Sequence, residues 1–124
     1  MFIGIDLVEV ERIQDLFTRH KSFLGRVYTP GEIEYSFSKK NTFEHLAARF
    51  AVKEAVVKAL GTGMKWTDIE MLNDASGRPY LNLYGRAKEM AREKGVGAWD
   101  VSVTHTKGHA IGQVLLVTGT PARK

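Results

Sequence analysis

Two carboxylates lie where the sequence otherwise predicts apolar surfaces. Asp6 falls within a β-rich run over residues 2–10, and strand alternation places it on the face of Gly4 and Val8. Glu54 belongs to a stripe at helical spacing whose other members are apolar or small, namely Phe43, Ala47, Phe50, Val57 and Gly61. Because burying an unpaired charge is costly, each carboxylate needs a partner.

Several partners could satisfy these carboxylates. Asp6 could cap a backbone N–H or pair with an arginine, and Glu54 could form an i,i+4 salt bridge with Lys58, worth about 0.3–0.5 kcal/mol. One Mg²⁺ could instead bind both, with substrate phosphates and waters completing its octahedron. Since the chain has no cysteine, any metal must use oxygen or imidazole ligands.

Three other features are compatible with ligand binding. Gly4, on the face of Asp6, leaves room for a ligand to approach. His105 ends a predicted strand beside an apolar face, as either a hydrogen-bonded core residue or a catalytic group. The backbone N–H groups of Gly61-Thr62-Gly63 could bind phosphate, or this segment could simply end the preceding helix.

Composition indicates one folded domain over residues 1–124. Hydrophobic residues make up 44% of the chain and charged residues 26%, as in ordinary globular proteins. The net charge of +4 favours an acidic partner. The start of the chain lacks a basic leader and no run reaches membrane-spanning length, so we expect a cytoplasmic protein without membrane contact.

Periodicity and turn residues predict an α+β chain. The first strand has apolar residues at both odd and even positions, so it is expected to be covered on both faces. The longest predicted helix begins after Thr42 as N-cap and ends at Leu60. The predicted helices cover residues 9–19, a short segment after Pro30-Gly31, residues 42–60 and residues 84–94. The predicted strands cover residues 2–10, 68–73, 79–83, 99–106 and 110–118, the second and third joined as a hairpin.

Four blocks resemble the phosphopantetheinyl transferase superfamily, specifically its small bacterial holo-acyl-carrier-protein synthase branch. They are GIDLV at residues 4–8, RFAVKEAVVKALGTG at 49–63, SGRPY at 76–80 and VSVTHT at 101–106. Their order and spacing cover essentially the whole chain. The resemblance implies an α+β fold, with an antiparallel sheet packed against one long helix and shorter helices. It also implies a homotrimer that binds coenzyme A between neighbouring subunits.

The resemblance also implies a role for individual residues. Asp6 and Glu54 correspond to the residues that hold Mg²⁺, and Lys58 to the lysine near the diphosphate of coenzyme A. His105 falls in the nucleotide site, where we also place Arg49, Gly61 and Pro79. Arg49 could alternatively be a solvated surface residue. Some relatives have an acidic residue after the histidine, whereas this chain has Thr106, so a general-base role for that acid does not transfer.

The implied reaction moves 4′-phosphopantetheine from coenzyme A to a serine of apo acyl carrier protein, releasing 3′,5′-ADP, in support of fatty acid biosynthesis. Lys58 would stabilise the departing phosphate, and either Glu54 or a water on the metal would accept the serine proton. Two alternatives are a basic nucleic-acid-binding module and a non-catalytic nucleotide-binding protein. The modest charge, without an Arg/Lys run, argues against nucleic acid. The second alternative has no need of two buried carboxylates.

The first predicted helix offers a docking surface for the acidic carrier protein. Arg12, Leu16 and Arg19 lie on one stripe, since seven residues are nearly two helical turns. The alternative is a solvated charged edge. In the resembling family this helix receives the carrier, so we expect the two arginines to contact its acidic surface.

Overall fold

The computed structural model describes residues 1–119, and its α+β architecture confirms the predicted class. The helices are α1 (Val10–Arg19), α2 (Phe23–Val27), α3 (Pro30–Phe37), α4 (Thr42–Leu60) and α5 (Gly85–Glu93), with a short 3₁₀ helix at Trp66–Asp68. The strands are β1 (Phe2–Glu9), β2 (Ile69–Asn73), β3 (Pro79–Leu83), β4 (Val96–His105) and β5 (His109–Thr118). They form an antiparallel sheet of order β1-β5-β4 and the separate hairpin β2-β3.

Helix α4 has the predicted extent but a different N-cap. Asn41 occupies the cap position, while Thr42 is already helical and its hydroxyl donates to the carbonyl oxygen of Lys39 at 2.8 Å. The helix ends at Gly61, whose φ of 107° lies in a region that other residues avoid. Gly61 is therefore a helix terminator by its backbone conformation.

Two glycines let α4 pack unusually close to the three-stranded sheet. A Cβ on Gly4 would overlap the carbonyl oxygen of Ala55, and one on Gly112 would lie 2.5 Å from the backbone nitrogen of Val52. The expectation that Gly4 leaves space for a ligand is wrong, because helix backbone occupies that space. Gly112 is the cross-strand partner of Asp6, so this close approach brings α4 directly beside that carboxylate.

The first strand confirms the predicted alternation but not the predicted cover on both faces. Asp6 shares the inner face with Gly4 and Val8, of which the latter is 1% exposed. On the outer face, Ile3, Ile5 and Leu7 are 63%, 54% and 61% exposed in the single chain. That row of apolar side chains is unusual for a surface strand.

Two apolar clusters lie against α4. The first is enclosed by α4, the sheet, the hairpin and α5, and the second lies between the N-terminal half of α4 and helices α1 to α3. The sequence did not predict α2, because five residues around Gly25 carry too little periodicity.

A buried ion pair joins α3 to α4 and the hairpin. Lys53 and Glu32 are fully buried, with Nζ and Oε1 2.8 Å apart. Glu32 also accepts from the backbone N–H groups of Thr29 and Met71, each at 3.0 Å, and Lys53 donates to the carbonyl oxygens of Trp66 and Ile69. Burial lowers the pKa of Lys53, and the Glu32 carboxylate opposes that shift. The pair therefore ties α3 and α4 to the start of the hairpin, where Met71 lies.

None of the helices within residues 1–119 combines the length and apolar character needed to cross a bilayer.

Candidate active site

A cleft of about 680 Å³ lies between α3, the N-terminal half of α4, the hairpin and β4. Three of the four residues placed in the nucleotide site line it, namely Arg49, Pro79 and His105. Arg78 also lines it, from the loop between β2 and β3. That loop is held by Asp74, whose Oδ1 accepts from the backbone N–H groups of Ser76 and Arg78 at 2.9 and 3.0 Å.

Arg49 is built into the wall of the cleft. It is 1% exposed, so the alternative of a solvated surface arginine is wrong. Its Nη2 donates to Oδ1 of Asn73 at 2.6 Å, and its guanidinium carbon lies 4.4 Å from the centroid of the Tyr35 ring. The buried Nε has no hydrogen-bond partner among the described residues. Arg49 thus presents a fixed, incompletely satisfied cation, which suits an anionic ligand.

His105 borders the same cleft, beside two residues that the sequence did not single out. Its Nδ1 lies 2.8 Å from Oε1 of Glu44, and its ring meets that of His45 with centroids 5.0 Å apart. The pKa of Glu44 is lowered, first by the bond to His105. Burial, followed by the neighbouring charges of His105 and Arg49, lowers the pKa of His45 to about 4. His45 is therefore neutral at physiological pH.

Asp6 and Lys58 meet in a separate region, beside the C-terminal half of α4. Lys58 Nζ lies 2.9 Å from Oδ1 of Asp6 and donates to the carbonyl oxygen of Ile5 at 3.1 Å. Among the described residues no salt bridge joins Lys58 to Glu54, so the alternative of an i,i+4 pair is wrong and Lys58 contacts the strand instead. The lysine side chain is 56% exposed and Asp6 17%, which leaves the ammonium group accessible from solvent.

Glu54 adds an unbalanced negative charge to this region. Its pKa is raised, first by burial and then by the charge of Asp6, while Arg12 and Lys58 act in the opposite direction. The guanidinium carbon of Arg12 lies 5.6 Å from the centroid of Phe50. Because Asp6 contacts Lys58, which lies one turn after Glu54 on α4, the two carboxylates come near each other although 48 positions separate them in sequence.

The two carboxylates fit a hard divalent cation. Residues 1–119 hold no group of three or more His, Cys, Asp or Glu side chains with ligand geometry. Mg²⁺ does not require one, because it commonly binds one or two carboxylates together with substrate phosphates and water. A cation would also relieve the repulsion that raises the pKa of Glu54.

Arg49 and Lys58 cannot contact the same phosphate within one chain. They are nine positions apart, so they lie about 14 Å apart along α4 and project from opposite sides, about 180° around its axis. Gly61 lies still further along the helix and does not line the cleft. The single chain therefore divides the predicted coenzyme A residues between two surfaces.

The predicted docking residues share one shallow groove on α1. Arg12, Leu16 and Arg19 line it together with His20 and three carboxylates, those of Glu9, Glu11 and Asp15. Both arginines are exposed and Leu16 is half-buried. The groove is of mixed charge, and Arg12 alone reaches from it towards Phe50 and the region of Glu54.

Comparison with known proteins identifies the family. The model of the 4′-phosphopantetheinyl transferase superfamily matches residues 2–114. The chain belongs to this superfamily. A holo-[acyl-carrier-protein] synthase of Geobacter sp. (strain M21) is 43% identical over 118 residues, 91% of this chain and 94% of the relative. One of Halothermothrix orenii is 46% identical over 117 residues, with the same coverage of 91% and 94%.

Solved structures agree with the superfamily assignment. The holo-[acyl-carrier-protein] synthase of Helicobacter pylori, crystallised in complex with coenzyme A, superposes with a TM-score of 0.79 at 32% identity. The match covers 93% of this chain and 99% of that one. Together with the curated relatives, this superposition confirms that the four sequence blocks mark the transferase fold.

Proposed function

We propose that this chain is a holo-[acyl-carrier-protein] synthase, which transfers 4′-phosphopantetheine from coenzyme A to a serine hydroxyl of apo acyl carrier protein and releases 3′,5′-ADP. The observation that carries the proposal is the pair Asp6 and Glu54 beside Lys58, in a chain that matches the superfamily from residue 2 to residue 114. Relatives that bear this name, one of them solved with coenzyme A, support the choice of substrate.

The reaction exchanges the phosphoanhydride bond of the coenzyme A diphosphate for a phosphoester bond to the serine. The serine oxygen attacks the phosphorus that bears pantetheine, the bond from that phosphorus to the bridging oxygen breaks, and the electron pair leaves with 3′,5′-ADP. A Mg²⁺ held by Asp6 and Glu54 would supply charge neutralisation at the diphosphate. Lys58, with its exposed ammonium group fixed by Asp6 and Ile5, would stabilise negative charge on the departing phosphate.

Two acceptors are available for the serine proton, the carboxylate of Glu54 and a water in the site. Glu54 is half-buried and its pKa is raised, which makes it a stronger base than an exposed carboxylate. Thr106 cannot take this role, because a hydroxyl is not a base at neutral pH.

We also propose that the working enzyme is a homotrimer with coenzyme A bound between neighbouring copies. The outer row of Ile3, Ile5 and Leu7 offers the apolar surface that an interface between copies would bury. Leu115, the cross-strand partner of Ile3, extends this row onto β5. A site shared between copies would reunite the cleft of one chain with the Asp6–Lys58 region of the next.

The test is a transfer assay with purified chain, coenzyme A, apo acyl carrier protein and Mg²⁺. We expect stoichiometric release of 3′,5′-ADP, a matching mass gain on the carrier protein, and loss of both when the metal is chelated. Absence of transfer, with binding of coenzyme A intact, would favour the non-catalytic alternative. The cytoplasmic location stays a prediction, which cell fractionation can check.

A further inference from the structure

Glu44 does not line the cleft, but it is hydrogen-bonded to His105, which does. It lies in the first turn of α4, whereas His105 is the last residue of β4, 61 positions later. Oε1 of Glu44 and Nδ1 of His105 are 2.8 Å apart, and the two side chains are 18% and 26% exposed. A partly shielded carboxylate bonded to an imidazole is the arrangement that commonly orients a functional histidine.

The hydrogen bond determines which ring nitrogen is left for a ligand. A carboxylate only accepts hydrogen bonds, so Nδ1 of His105 must carry a proton. No residue between 1 and 119 is hydrogen-bonded to Nε2 of His105, and the ring borders the cleft. Nε2 is thus the nitrogen that can meet a bound molecule.

Packing restricts the same ring in a second way. The ring of His45 meets that of His105 at an interplanar angle of 65°, and Tyr35 packs against His45 with centroids 5.4 Å apart. His45 does not compete for the Glu44 carboxylate, since of the two imidazoles only His105 is hydrogen-bonded to it. The rings of Tyr35, His45 and His105 therefore form a row of edge-to-face contacts along the wall of the cleft, and Glu44 bonds to the last of them.

We infer that Glu44 is a positioning residue, which holds His105 with Nδ1 protonated and directs Nε2 towards the phosphorylated nucleotide of the substrate. The inference rests on the proposed function, because that function places coenzyme A in the cleft. Carboxylates also stabilise the first turn of a helix by their charge alone. That role does not require a hydrogen bond to a strand, nor does it affect a histidine tautomer.

The first experiment measures the tautomer of His105 in the protein without substrate. Nitrogen-15 NMR at mildly alkaline pH, where imidazoles are neutral, distinguishes a proton on Nδ1 from one on Nε2. We expect Nδ1–H in the parent chain and in Glu44→Gln, whose amide oxygen still accepts, but predominantly Nε2–H in Glu44→Ala. An Nε2–H tautomer in the parent, or an unchanged tautomer in Glu44→Ala, would overturn the inference.

The second experiment measures binding of coenzyme A by calorimetry, without carrier protein. Glu44→Ala should weaken binding about tenfold, the lower end of the range for losing a residue that orients a ligand-binding histidine. Glu44→Gln should bind nearly as the parent does, as should the matched surface control Glu89→Gln on α5. In a His105→Ala background, Glu44→Ala should add no further loss.

These outcomes separate the inference from the proposed function. An equal loss from Glu44→Ala with and without His105 would show that Glu44 acts independently of His105 and would overturn the inference. If the parent chain fails to bind coenzyme A, the proposed function is wrong, while the tautomer measurement still decides whether Glu44 positions His105. Should Glu44→Ala fail to fold, Glu44→Leu, which also lacks a hydrogen-bond acceptor, replaces it, and a tautomer unchanged from the parent would again overturn the inference.

Discussion

The two charged regions along α4 are stabilised in different ways. In the cleft, Arg49 and His105 have partners within the chain: Asn73 and Tyr35 for the first, Glu44 for the second. Beside the sheet, Glu54 has no hydrogen-bond or ion-pair partner among the described residues, and its pKa is raised. The fold therefore preorganises the cleft, whereas the Glu54 carboxylate is open to a ligand that the proposed function would supply.

The largest effect should follow from removing either carboxylate. Asp6→Ala and Glu54→Ala should each lower kcat about a thousandfold, because several kcal/mol of charge stabilisation at the diphosphate is lost. Melting temperature should change little, since neither side chain is part of the buried core. The measurement is the transfer assay at saturating Mg²⁺, with Glu89→Gln as the surface control. Near-parental activity and metal dependence in either variant would contradict a shared metal site.

The next prediction compares Lys58, beside the sheet, with Arg49, in the wall of the cleft. Lys58→Ala should lower kcat about a hundredfold, as expected for removing one stabilising donor, but alter the free energy of unfolding by less than about 1 kcal/mol. Arg49→Ala should instead destabilise the chain by about 1–3 kcal/mol, because it removes a buried side chain together with its hydrogen bond to the half-buried Asn73.

Denaturant unfolding and steady-state kinetics on the same samples provide the measurement. A large loss of stability in Lys58→Ala with kcat unchanged would show that its salt bridge to Asp6 is purely structural. Lys58→Ala and Arg49→Ala are comparable because both residues lie on α4 and each substitution removes one positive charge.

The division of the site between two surfaces can be tested by mixing variants. Glu54→Ala and His105→Ala are each expected to be defective alone. If one site combines Glu54 of one copy with His105 of its neighbour, random assembly of an equal mixture should restore about a quarter of parental activity. Each site then has about a one-half chance of an intact Glu54 and about a one-half chance of an intact His105. The two chains should be refolded together and assayed, with light scattering to establish the trimer. No recovery in a mixed assembly would place both residues in the same chain's site.

The smallest effect should come from the edge of the docking surface. Arg19→Glu should raise KM for the carrier protein about threefold and flatten its salt dependence, leaving KM for coenzyme A unchanged, because rim charges act mainly on association. Arg19 is a cleaner probe than Arg12, which also influences Glu54. The control is Arg92→Glu on α5, which makes the same charge change elsewhere. Equal KM values for Arg19→Glu and the parent at low and moderate salt would place docking on another face.

Local signals predicted most of the elements. The bounds of α4 and β3 were read from helical periodicity, the glycine stop and the turn-rich loop before Pro79, all of which act within a few residues. The burial of Arg49 could not be read in this way. Its partners Tyr35 and Asn73 lie 14 and 24 positions away and carry no pattern that marks them as neighbours.

The sequence by itself determined which residues could do chemistry: two carboxylates on apolar faces, a lysine one turn after Glu54, and a histidine at a strand end. Only the tertiary structure decided their partners. Lys58 bonds to Asp6, 52 positions away, because Gly4 and Gly112 let α4 approach the sheet closely. Glu44 meets His105 because the antiparallel sheet brings the end of β4 to the start of α4. Such contacts depend on the packing of distant elements, which spacing along the chain does not encode.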